Sequence, residues 1–80
     1  MKLGDLEFIL IAKEIKLNIL NEKSRHFYLD IDTGEYKEKN GTFDMYDLYK
    51  DYQVDRIYEG EGQSLTIDIR YRTDLYGKKK

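Results

Sequence analysis

From residue 65 to residue 72 apolar and polar positions alternate strictly, with Leu65, Ile67, Ile69 and Tyr71 on one side and Thr66, Asp68, Arg70 and Arg72 on the other. A period of two sends successive side chains to opposite faces of a strand, so this segment predicts a strand with one packed and one wet face. Residues 54–59 predict a shorter strand before it, and Gly60-Glu61-Gly62-Gln63-Ser64 offers glycines where a hairpin turn needs positive φ. These two strands are expected to pair antiparallel. A second hairpin follows from Ile15, Leu17 and Ile19 on one strand face and Phe27, Leu29 and Ile31 on the next, joined by the polar stretch 21–25. Asp32-Thr33-Gly34 then breaks the pattern, and 35–41 reads as a charged connection or an irregular extension of that hairpin.

Two segments carry a helical period instead. Met45, Leu48, Tyr49 and Tyr52 recur at i, i+3, i+4 and i+7, which predicts a short helix over 44–52, opened by Asp44 with Asp47 in the manner of a capping box. Over 5–12, Leu6, Ile9 and Leu10 suit a helix capped by Asp5, and helix is favoured, although the run Phe8-Ile9-Leu10-Ile11-Ala12 also fits a buried strand. The expected fold is therefore α+β: a single small domain with an antiparallel sheet of about four strands in two hairpins, and one or two short helices on one face.

At 80 residues there is material for one core, expected to span 1–76, with Gly77-Lys78-Lys79-Lys80 as a basic tail. Charged residues make up 38% of the chain and hydrophobic ones 40%, a folded and soluble balance. Cysteine is absent, which excludes disulfides and thiolate chemistry and fits a cytoplasmic setting. No apolar run approaches the roughly 20 residues that span a bilayer, so no membrane role is expected.

Enzymatic motifs are not found. His26 is the only histidine and has no companion at metal or triad spacing, and Gly60 and Gly62 lack the lysine and helix of a phosphate loop. Asp30-Ile31-Asp32-Thr33-Gly34-Glu35 looks like the start of a calcium loop, but its glycine comes one position early and Gly41 stands where the closing acid belongs. No catalytic residue, metal or cofactor is expected, and the class that remains is a binding protein.

The net charge of −2 conceals an uneven distribution: residues 30–61 hold ten acids against four bases, a local sum of −6. Asp44, Asp47 and Asp51 fall on one side of the predicted helix, and Asp55 follows. Tyrosine gives large contact area at low entropic cost, and Tyr46 and Tyr58 lie among these acids. The candidate partner-binding residues are thus Asp44, Asp47, Asp51, Asp55, Tyr46 and Tyr58, and the expected partner is a basic protein surface. Two alternatives use other features. Arg70, Arg72, Lys78, Lys79 and Lys80 interleave with Tyr71 and Tyr76 as a weak nucleic-acid contact, and an exposed sheet edge offers homodimerisation. Nucleic acid is the less favoured partner.

Leu3 through Leu10, then Ile15-Lys16-Leu17-Asn18-Ile19-Leu20-Asn21, then Leu48-Tyr49-Lys50-Asp51-Tyr52-Gln53-Val54-Asp55-Arg56-Ile57-Tyr58 and the strand 65–69 resemble small uncharacterised proteins of Gram-positive bacteriophages and prophages. The resemblance implies a non-enzymatic accessory protein that binds a host component in the host cytoplasm, among them inhibitors of host-defence nucleases of the anti-CRISPR type.

Overall fold

The computed structural model describes residues 1–7, 9 and 11–71. The two most strictly alternating segments, β1 (Glu14–Ile19) and β5 (Ser64–Arg70), lie side by side in the middle of the sheet. Their apolar residues are in register, Ile15 beside Leu65, Leu17 beside Ile67 and Ile19 beside Ile69, so both strands turn one continuous aliphatic surface the same way. Leu17 and Ile67 are fully buried there, and burying each such side chain contributes about 1.5–3 kcal/mol.

Around this pair the sheet runs β3-β2-β1-β5-β4, with β2 at Arg25–Asp30, β3 at Glu35–Lys37 and β4 at Gln53–Glu59. Both expected hairpins form, β1 with β2 and β4 with β5, each antiparallel. The sheet nevertheless differs from the expected antiparallel four strands. Residues 35–37 form a fifth strand against β2, and β1 and β5 pair parallel, so the sheet is mixed. A parallel pair needs a long crossover, supplied here by everything between β1 and β5.

Helical structure is brief. In place of a helix over 5–12, the chain makes a 3₁₀ turn at Leu3–Leu6, in which the Asp5 carboxylate accepts the Lys2 N–H at 3.0 Å. Its start is tied to β4: Leu3 N–H reaches the Tyr52 carbonyl at 2.9 Å, and Val54 N–H the Met1 carbonyl at 2.8 Å. Helix α1 spans only Met45–Tyr49. Together with the 3₁₀ turn it packs on the sheet face carrying Ile19, Phe27 and Ile69, and among the described residues no helix lies over the end with the β4–β5 turn.

The other face has no covering element among the described residues and is polar. It carries Lys16 and Asn18 from β1, His26 and Tyr28 from β2, Thr66 and Asp68 from β5, and Arg56 and Tyr58 from β4. Asn18 donates to Asp68 at 2.9 Å and Ser24 donates to Asn18 at 2.6 Å, a chain of side-chain bonds across the central strands. No helix among the described residues is long and apolar enough to cross a membrane.

Candidate functional site: an acid-rimmed apolar hollow

Three turns meet at the uncovered end, and each is set by local chemistry. After β2, the Asp30 carboxylate accepts the Asp32 N–H at 3.0 Å and the Asp30 carbonyl accepts the Gly34 N–H at 2.7 Å. Gly34 takes φ of 77°, the left-handed region that glycine adopts without strain. This turn ends β2 at Asp30, so Ile31, expected on the inward face with Phe27 and Leu29, stands at the tip and is 88% exposed. The physical reason is the aspartate side chain, which offers the backbone a turn in place of the ladder.

The second turn joins β4 to β5, where Gly60 N–H donates to the Ser64 carbonyl at 2.9 Å, Ser64 Oγ to the Glu61 carbonyl at 2.7 Å, and Gly62 takes φ of 65°. It carries Glu59 and Glu61. The third element is the irregular stretch 11–13 leading into β1. Tyr36 fixes it with one hydroxyl, which accepts from Ala12 N–H at 3.1 Å and donates to the Ala12 carbonyl at 2.8 Å. Ala12 is thereby held inward, and Ile11 is turned out, 89% exposed.

Between them lies a hollow of about 690 Å³, walled by Ile11, Ala12, Leu29, Ile31 and Leu65 and bordered by Glu59 and Lys13. Its walls are aliphatic. Of the acids Glu59 lines it, while Glu61, Asp30 and Asp32 are chain neighbours of the lining residues Gly60, Gly62, Leu29 and Ile31, and all four come from the stretch that carries the −6 charge. Lys37 Nζ approaches Asp30 at 3.8 Å, whereas Asp32, Glu59 and Glu61 appear in none of the ion pairs among the described residues.

The six residues expected to contact a partner are distributed differently. Asp44 is 6% exposed, and its carboxylate is committed to Tyr36 N–H at 2.9 Å rather than to capping α1. Tyr46 is 4% exposed, because α1 turns Met45, Tyr46 and Tyr49 inward and Leu48 outward, with the Tyr46 ring edge-on to Tyr36 at 6.2 Å. Neither residue can meet a partner as expected. Asp47 and Asp51 are exposed around the helix, Asp51 lying 3.9 Å from Lys2 Nζ. Asp55 sits in a bulge of β4 and pairs with Arg70 Nε at 3.1 Å. Tyr58 lies on the open sheet face, where its hydroxyl donates to Asp68 at 2.5 Å and Arg56 stacks over its ring at 5.6 Å. That hydrogen bond, with a smaller one from Asn18, holds the Asp68 carboxyl below the usual carboxylate range and raises the Tyr58 hydroxyl. The helix acids and Tyr58 therefore do not form one patch.

Of the alternative nucleic-acid set, Arg70 is engaged by Asp55, and Arg72, Lys78, Lys79 and Lys80 lie outside the described residues. No group of three potential metal ligands converges among the described residues.

Tyr46 supplies a stability test. Its hydroxyl is buried without a hydrogen-bond partner among the described residues, and burial pushes it well above the usual phenol range, with the charges of Tyr36, Asp44 and Glu7 adding to the shift. An unpaired buried hydroxyl costs about 1–3 kcal/mol, so Tyr46→Phe is expected to stabilise the fold by about 1 kcal/mol. A lower urea midpoint for that variant would mean that the hydroxyl is satisfied in solution.

Comparison with protein-family models, curated proteins and solved structures finds no match for this chain.

Proposed function

We propose that this chain is a non-enzymatic interaction protein of the phage accessory type, which seats its acid-rimmed hollow on a basic surface of a host protein and acts by obstruction. Basic grooves that hold nucleic acid in defence nucleases have the matching chemistry. The observation that carries this reading is the exposure of Ile11 and Ile31 in the wall of an aliphatic hollow that Glu59 lines, with Asp32 and Glu61 next to lining residues in the chain. Aliphatic side chains held out at turn tips gain about 25 cal/mol for each Å² that a partner covers. The carboxylates of Asp32, Glu59 and Glu61, which enter no ion pair among the described residues, steer a basic partner and reject an acidic one. On this reading docking is at the turn end of the sheet rather than on α1.

Affinity capture from host lysate with three baits tests the proposal: the unaltered chain, Ile31→Lys, and the double variant Asp47→Asn, Asp51→Asn. Ile31 is at an exposed tip, so its replacement changes stability by no more than about 0.5 kcal/mol. The partner recovered by the unaltered chain is expected to be lost with Ile31→Lys, kept with the helix variant, and weakened as salt rises. Loss with the helix variant alone would return docking to α1 and reject the hollow.

A further inference from the structure

One edge of the sheet is closed and the other is half open. At β3 the outward Tyr36 N–H is taken by the Asp44 carboxylate, and Lys37 bridges Asp44. At β4 the first residues are covered, with Lys2 bridging Gln53 and Val54 N–H bonded to Met1. Beyond the bulge between Val54 and Arg56 no bridge or backbone bond to the outer side of β4 is made among the described residues. Gly60 N–H points to β5, and in an antiparallel ladder this sense alternates, so Tyr58 and Arg56 also face β5 while Ile57 and Glu59 present their N–H and C=O outward. The Ile57 side chain is exposed on the covered side of the sheet, and Glu59 borders the hollow.

We infer that the open half of β4, Ile57 to Glu59, receives an extended basic segment of the partner as a sixth strand, with an aliphatic side chain beside Ile57 and a lysine or arginine beside Glu59. The inference rests on the basic-partner reading and adds its backbone geometry. Main-chain bonds at a free edge supply affinity, and alternate side chains supply specificity. Charge selects the occupant. A second copy paired antiparallel about Tyr58, the register that uses residues 57–59, would set Glu59 against Ile57 and so give the Glu59 carboxylate no opposite charge. A segment that carries an aliphatic residue and a lysine two positions apart, on one face of the added strand, meets Ile57 and Glu59 with the complementary partners.

The test uses the full chain and a synthetic seven-residue peptide, Lys-Ser-Val-Ser-Lys-Ser-Val, blocked at both ends, which carries lysine and valine by turns on one face, together with the same peptide N-methylated along its whole length. Amide exchange of Ile57 and Glu59 is expected to slow at least tenfold with the first peptide and to be unchanged with the second, which has no backbone donors. Binding of both peptides with unaltered exchange at Ile57 and Glu59 would overturn the edge geometry and leave the basic-partner reading intact. Binding of neither at millimolar concentration would likewise overturn it, and the Ile31→Lys capture then judges the wider reading separately. Concentration-dependent protection of the two amides without peptide would overturn the choice of occupant in favour of a second copy.

Discussion

Replacing Phe27 with alanine is expected to lower stability by about 3–5 kcal/mol, the loss typical of removing a buried aromatic ring from a packed core. Phe27 is fully buried on β2 opposite Ile15, and its ring meets Tyr49 edge-on at 6.3 Å. It also seats Arg25, whose guanidinium lies 5.5 Å from the Phe27 and Tyr49 ring centres while it binds the Glu38 carboxylate and the Tyr49 hydroxyl. That pairing holds the Glu38 carboxyl below its ordinary range. The change therefore opens a cavity and also loosens the clasp by which β2 grips α1 and the stretch after β3. An 80-residue domain has about 4–12 kcal/mol of stability in all, so the variant is expected to lose a large share of its margin, whereas Phe27→Leu costs less because most of the volume is kept. Urea unfolding followed by circular dichroism measures both. A loss below 1 kcal/mol for Phe27→Ala would mean that this ring is not the centre of the core.

The parts of this fold that sequence made legible are those decided within about ten residues. Leu65, Ile67 and Ile69 alternate with polar neighbours, and Gly60 and Gly62 sit where the turn needs them, so β4, β5 and their hairpin follow from local pattern. The β1–β5 pairing is of another kind. Two half-apolar strands far apart in sequence bury their faces equally well beside either neighbour, and no local period reports that they meet parallel. Helix α1 shows the same limit: Leu48 fits the helical period, but the helix is short enough for its orientation to be set by Tyr36 and Asp44 across the gap, which brings Tyr46 inward in its place.

The candidate site was legible by half. The acidic excess over 30–61 is plain in the sequence and includes Glu59, which lines the hollow, and Asp30, Asp32 and Glu61, which adjoin its lining residues in the chain. Its apolar anchors were missed because Ile31 continues the alternation of Phe27 and Leu29. The signal that contradicts this is also local: Asp30 and Asp32 with Gly34 spell an aspartate turn, and a turn outranks alternation once a side chain takes over the backbone bonds. Ile11 carries no comparable signal, since only the distant Tyr36 hydroxyl decides that Ala12 goes in and Ile11 out.

Asp44→Ala is expected to destabilise the protein by about 2–3 kcal/mol, near the upper end for leaving a buried backbone donor unpaired. The Asp44 carboxylate is the acceptor for Tyr36 N–H on the outer edge of β3, and no other acceptor for that N–H is recorded. Without it the last strand has a buried, unmatched donor on its outer side. The consequence extends to the hollow, because the Tyr36 hydroxyl holds Ala12 and hence the wall from which Ile11 projects. Asp44→Asn separates the two roles available to a carboxylate. Its amide oxygen accepts the same bond but carries no charge, so a cost below about 1 kcal/mol is expected if hydrogen bonding is the function of the residue. Thermal unfolding of the two variants decides the matter, with hydrogen exchange at Tyr36 as a local reading. Equal losses for alanine and asparagine would assign the effect to the charge, and Asp44 would then have to be reconsidered as part of an electrostatic surface.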